Sequence, residues 1–175
     1  MGKRRRKKGS GSRDQVSKTL TPDPYSLKPH LVGNDEASFV EVYELTLELH
    51  REGGYAPLDN DKAAAAVYQV LTEGMVWVAR DAAGVAIGTI GLTELKFWYS
   101  QESYLQDAWL YVRPAFRKGR VGVLLMQAAR AEAQKRNKIA LITVTSPDRR
   151  PKATPMTLDS QIAGYVPLGY TLRLR

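Results

Sequence analysis

The spacing of apolar residues changes several times along the chain, and each change marks a different kind of element. Between residues 37 and 50, Phe39, Val42, Tyr43, Leu45, Leu47 and Leu49 mix helical and alternating spacing. The turn residues Gly33-Asn34-Asp35 and an acidic start precede this run, and Gly53-Gly54 closes it, which favours a helix. Asp59-Asn60-Asp61 makes a good N-terminus for an alanine-rich helix over residues 62–73. After Gly74 the pattern turns extended. Residues 75–80 and 85–95 are rich in Val, Ile, Thr and Trp and are joined by Asp81-Ala82-Ala83-Gly84, a β-hairpin signature. Residues 105–112 predict a further strand, with Asp107, Trp109 and Tyr111 on one face and Ala108, Leu110 and Val112 on the other. A loop over 113–120, a long helix over 121–137 and a strand over 139–145 follow. The chain then predicts a basic, proline-rich loop at 146–155, a short helix at about 158–165 and a last strand at 170–173. A short strand over 25–32, containing His30, opens the series. Strands followed by single helices imply an α/β domain with a mixed sheet flanked by helices, and no internal repeat is present.

At 175 residues the chain suits one domain. Residues 1–24 form a flexible leader of cations, Gly-Ser and prolines, and residues 25–175 form the domain. No apolar stretch approaches the roughly 20 residues of a spanning helix. The basic start runs into Gly-Ser, not into an apolar signal core, so the expected location is cytoplasmic, away from any membrane. The formal charge is +8, but Lys3, Arg4, Arg5, Arg6, Lys7, Lys8 and Arg13 supply seven of those charges, leaving +1 for the remainder. Basicity is thus a property of the leader, which suits either non-specific nucleic-acid contact through residues 3–13 or a solvated tail. The absence of cysteine excludes disulfides, thiolate metal sites and a cysteine nucleophile. His30 and His50 lie near no nucleophile elbow. A calcium loop starting at Asp59 fails because Ala64 and Val70 hold its sixth and twelfth positions, so no metal is implied.

The stretch most informative about chemistry runs from Trp109 to Leu125. A buried strand ends at Arg113-Pro114, the loop Arg117-Lys118-Gly119-Arg120 follows, and a helix opens at Val121-Gly122-Val123. Unpaired N–H groups and the positive end of the helix dipole converge there. Glycines admit a phosphate to the backbone and arginines add charged donors, so residues 117–123 predict a diphosphate-binding turn. The same residues also suit a helix start whose cations face water. Neither a P-loop nor a dinucleotide fingerprint is present.

This segment resembles the GNAT family of N-acetyltransferases, whose signature is an apolar-x-Val-x-Pro strand end followed by Arg/Gln-x-x-Gly-x-Gly/Ala. Leu110-Tyr111-Val112-Arg113-Pro114 matches the first part, and Arg117 and Gly122 match the outer positions of the second. Arg120 stands where the family usually has its central glycine, with Gly119 one place earlier, an order similar to that of some phage-encoded members. Gly164-Tyr165-Val166-Pro167-Leu168-Gly169-Tyr170 is similar to the family's Phe-Tyr-x-x-x-Gly-Phe. The resemblance implies a GNAT fold over residues 25–175 with a mixed, mostly antiparallel sheet, and acetyl-CoA as co-substrate. It further implies direct transfer to a small-molecule or peptide amine in a ternary complex. Leu110, Tyr111, Val112, Arg117, Lys118, Gly119, Arg120, Val121, Gly122 and Val123 would bind the donor, with backbone N–H groups near 110–112 polarising the carbonyl. Tyr165 would protonate the leaving thiolate, and Asp107, then Glu94, then Glu102 are the candidates for the base. Trp98, Tyr99 and Tyr104 suit either an acceptor pocket or a plain hydrophobic rim. Arg149, Arg150 and Lys152 suit either an anion contact or a solvated loop. Only residues 171–175 follow the second motif, so the closing hairpin is expected to be short or completed by a partner, as in a homodimer. Two other functions fit the same residues: a Mom-like modifier of nucleic acid, and a non-catalytic structural protein with a basic tail.

Overall fold

The computed structural model describes residues 27–53, 56–143 and 163–165. Strand β1 (His30–Val32) leads into helix α1 (Glu36–Gly53) and helix α2 (Asn60–Glu73). Strands β2 (Met75–Arg80), β3 (Ala86–Lys96) and β4 (Ser103–Val112) follow, then a 3-10 turn (Pro114–Phe116), helix α3 (Val121–Lys135) and strand β5 (Ala140–Leu141). Local chemistry accounts for most boundaries. The Asp35 carboxylate accepts bonds from the Ser38 N–H at 3.0 Å and the Ser38 hydroxyl at 2.7 Å, fixing the start of α1. Asp59 caps α2 by accepting from the Lys62 N–H at 3.1 Å. In the β2–β3 turn, Asp81 accepts from the N–H groups of Ala83 and Val85, and Gly84 supplies a φ of 83°. Asn137, at φ 52°, ends α3 two residues earlier than the pattern predicts, and the Lys138 N–H closes on the Ala133 carbonyl.

The sheet has the order β1-β2-β3-β4-β5, antiparallel through β4, with β5 parallel to β4. Residue β2 positions alternate between two apolar layers. Val76 and Val78 pack with Val42 and Leu45 of α1 and Val67, Val70 and Leu71 of α2. Met75, Trp77 and Ala79 pack with Val121, Leu125, Ala129 and Ala133 of α3. Burial on both faces explains why β2 reads as a continuous apolar run. The predicted mixed, mostly antiparallel sheet flanked by helices is the observed architecture.

Three departures from the sequence reading matter. First, β4 is not regular. Gly91 pairs with Trp109 while Leu92 pairs with Asp107, so Ala108 is an extra residue in a bulge. The predicted grouping of Asp107 with Trp109 and Tyr111 is therefore wrong. Asp107 lies opposite Leu92 on the α3 face, whereas Trp109 and Tyr111 pack against α1 and α2. Second, β5 pairs with β4 only at Leu105 and Gln106, so Ile142 and Thr143 have already left the ladder that the pattern extends to 145. Third, residues 27–29 lie outside β1 although the pattern includes them (residues 25 and 26 fall outside the described residues), and Ala163-Gly164 form a turn where the pattern predicts helix. The loop at 146–155, the rest of the 158–165 helix, the last strand and the leader lie outside the described residues, as do residues 144 and 145.

Candidate active site

The opening between β4 and β5 begins where their pairing stops. Just past that point Asp107 Oδ1 accepts a bond from the Thr143 N–H at 2.8 Å, so a side chain replaces the ladder where the strands part. Leu110 and Ile142 flank the opening and pack on Val123, Met126 and Ala163, together with Tyr165. The Tyr165 hydroxyl donates to the Met126 carbonyl of α3 at 3.1 Å. Arg130, one turn further along α3, donates to the Ala163 carbonyl at 3.4 Å. Its guanidinium lies against Gly164, where a Cβ would sit 2.0 Å from Nη1, and the φ of 87° there also favours glycine.

Burial shapes the electrostatics of this opening. Desolvation raises the Asp107 pKa, and the bonds from Thr143 only partly oppose it. Burial likewise pushes the Tyr165 phenol up to about 12, with Arg130 acting against the shift and Asp107 adding to it.

Beyond Val112 the chain turns through residues 113–120 into α3. Arg120 makes no side-chain capping bond, the first turn of α3 holds no acid, and the Leu124 N–H bonds back to the Arg120 carbonyl. Backbone N–H groups at such a start have no intrahelical partner and face the positive end of the dipole. Gly122 is not imposed by packing, since a Cβ there would touch only Val112 Cγ2, at 3.9 Å. A bare backbone that the protein itself does not require fits a diphosphate approaching closely. Lys118, Gly119 and Arg120 are exposed, while Val121 and Val123 turn their side chains into the core.

Other predicted residues lie elsewhere. Arg117 turns to α1: its Nε donates to the Val112 carbonyl at 2.7 Å, its Nη2 to Glu52 at 2.5 Å, and it lies 5.4 Å from the Tyr111 ring centre. Tyr111 packs on the α1 side and donates to Glu52 at 2.6 Å. Burial and its bonds with Glu52 raise the Tyr111 pKa. Glu94 is exposed and held by Lys138, by the Ser103 hydroxyl at 2.7 Å and by Arg136 at 3.9 Å. The Lys138 bond, then Ser103, holds its carboxyl below the usual range. Glu102, Trp98, Tyr99 and Tyr104 cluster at the β3–β4 turn, the end of β4 remote from residues 117–123. Trp98 is 94% exposed there. Arg149, Arg150 and Lys152 lie outside the described residues. Arg130, Glu48 and Glu52 escaped the sequence reading. The repeat Glu44-Glu48-Glu52 marks one face of α1, but no pattern names the partners of those acids. Among the described residues no group of acids and histidines could hold a metal, and no helix could cross a membrane.

Comparison with known proteins bears on this geometry. The sequence profile described as "Acetyltransferase (GNAT) domain" matches residues 72–170, more than half of the chain. No curated protein sequence matches it. Three solved structures illustrate the likeness in fold. An integron cassette protein from the mobile metagenome of Cole Harbour Salt Marsh is 19% identical, with a TM-score of 0.64 over 85% of this chain and 89% of that one. AAC(6')-Iy, in complex with the bisubstrate analogue CoA-S-monomethyl-acetylneamine, is 15% identical, with a TM-score of 0.62 over 84% and 97%. A ribosomal-protein-alanine N-acetyltransferase from Brucella melitensis biovar Abortus 2308 is 13% identical, with a TM-score of 0.58 over 85% and 99%.

Proposed function

The chain belongs to the GNAT acetyltransferase family, and on that premise we propose that it moves an acetyl group from acetyl-CoA to a primary amine by direct attack in a ternary complex. One observation carries the reading. The β4–β5 opening is flanked by the half-buried Asp107 carboxylate and the half-buried Tyr165 phenol on the same face as α3, whose N-terminus has no side-chain cap from Arg120 and carries a bare Gly122. The complex of AAC(6')-Iy with an analogue joining CoA to an acetylated amine supports the ternary arrangement.

In this reading the thioester of acetyl-CoA supplies the activated acyl group, and the chain supplies position and proton transfer. The N–H groups of Val121, Gly122 and Val123 hold the diphosphate, and Lys118 and Arg120 add positive charge around it. Leu110 and Ile142 exclude water from the opening between the strands. On β4, backbone N–H groups after the Ala108 bulge, in the 110–112 segment, donate to the developing oxyanion. Asp107 accepts the ammonium proton directly or through water, for which a carboxylate with a raised pKa is the better base. Glu94 is left out of the mechanism, because its ion pairs with Lys138 and Arg136 lower its basicity. Tyr165 keeps its proton at neutral pH and donates it to the departing thiolate, releasing the Met126 carbonyl as it does so.

Asp107 also ties β5 to β4, so its test must separate a strand tie from a base. Asn keeps an oxygen for the Thr143 N–H but cannot take a proton. Asp107→Asn is expected to retain its thermal midpoint and acetyl-CoA affinity while kcat falls by about a hundredfold or more. An Asp107→Asn enzyme with unchanged kcat would reduce Asp107 to a tie.

A further inference from the structure

Glu52 on α1 lies outside the donor motif, yet it is bonded to a residue inside it. The carboxylate takes Arg117 Nη2 on one oxygen at 2.5 Å and the Tyr111 hydroxyl on the other at 2.6 Å. Burial pushes the Glu52 pKa up, but the bonds from Tyr111 and Arg117 outweigh it and leave the group below its ordinary value. Arg117 in turn grips the end of β4 through the Val112 carbonyl and lies over the Tyr111 ring. A guanidinium has a rigid planar fork, so two bonds and an aromatic face leave it little freedom. The loop therefore has its first residue fixed on the α1 side, and only three residues separate Arg117 from α3. A second link, Arg113 to Glu48 at 2.9 and 3.0 Å, ties the preceding residue of β4's exit to the same helix.

We propose that Glu52 is a positioning residue for the donor: through Arg117 it holds the 117–122 loop against β4, so that the backbone donors at the start of α3 are set for the diphosphate of acetyl-CoA. This rests on the donor site described above. Arg117 then acts as an anchor turned to α1, and the diphosphate is met by backbone and by the cations that follow. Preorganised donors lose less freedom on binding, so loosening the anchor weakens the ligand without removing any contact to it.

The test compares a donor that has the diphosphate with one that lacks it. Calorimetry gives Kd for acetyl-CoA in the full-length protein, and S-acetyl-N-acetylcysteamine serves as the truncated donor in steady-state assays. Glu52→Gln is expected to weaken acetyl-CoA by about tenfold, the scale of one lost charged hydrogen bond. Its kcat/KM for the truncated donor should stay within about twofold of the parent enzyme, since that donor never meets the loop. Glu41→Gln is the control, because Glu41 makes a comparable ion pair from α1 to Arg80 on β2, away from the loop. It should leave both donors unaffected. Tyr111→Phe, which removes one bond to Glu52 and keeps the ring under Arg117, gives a second variant with a smaller loss of acetyl-CoA affinity.

Unchanged acetyl-CoA affinity in both Glu52→Gln and Tyr111→Phe would overturn the proposal. Equal losses with both donors would also overturn it, since they would mean a general structural role. If the parent protein bound no acetyl-CoA at all, the functional reading itself would fail and this inference with it.

Discussion

Burial raises the pKa values of both Asp107 and Tyr165, and for proton transfer the two shifts have different consequences. Asp107 becomes a stronger base, and its acidic limb in kcat/KM for acetyl-CoA should fall above the 3.8 of an ordinary aspartate. The same shift has a cost in stability. The native state holds that proton more tightly than the unfolded chain, so stability declines as pH rises from 3.8 through the raised folded value, and Asp107→Asn should abolish that decline. Tyr165, near 12, stays protonated across the neutral range and should give no alkaline limb of its own below about pH 10. Tyr165→Phe is expected to lower kcat by about a hundredfold with little change in acetyl-CoA affinity, measured by steady-state kinetics beside calorimetry. Loss of affinity with kcat intact would count against the assignment. Tyr165 was legible as a candidate because a motif surrounds it. Arg130 was not, since a cation in the middle of a helix reads as solvent-facing until the turn at Gly164 is seen against it.

At the scale of elements, β4 decides what the site can be. Its alternation looks regular in sequence, and a regular strand would have turned Asp107 to the α1 side with Trp109 and Tyr111. The bulge at Ala108 reverses this, because one inserted residue shifts every earlier side chain to the other face. The sequence trace of the bulge lies on the partner strand. Gly91 leaves room for the Trp109 indole, and a Cβ there would sit 2.6 Å from two ring carbons. Gly91→Ala should therefore destabilise the fold by about 1–3 kcal/mol in urea titration and alter Trp109 packing by near-ultraviolet dichroism. Wild-type stability in that variant would mean the ring yields freely and does not set the register. The long helices and the β2–β3 hairpin were readable because their signals are local: caps, periodicity and turn residues. The bulge, the early parting of β5 and the α1 ties to Arg113 and Arg117 were not, because each depends on residues far apart in the chain.

On the scale of the whole molecule, the sheet joins two layers with separate tasks. The α3 layer carries the opening, Asp107, Tyr165 and the helix start, while the α1–α2 layer braces β4 and its exit loop from behind. Element order and sheet type were predictable from alternating strands and helices, and the family followed from a short run of residues around 110–122. The measurement that reaches the centre of this account is calorimetric titration of acetyl-CoA into the parent protein and into Gly122→Glu. Glutamate there sets bulk and negative charge where the diphosphate would lie, while its Cβ meets only ordinary contact with Val112. Micromolar-range binding to the parent protein and at least about a hundredfold loss in a folded Gly122→Glu are expected. Equal affinity in the two proteins, or no binding to a folded parent, would contradict this reading.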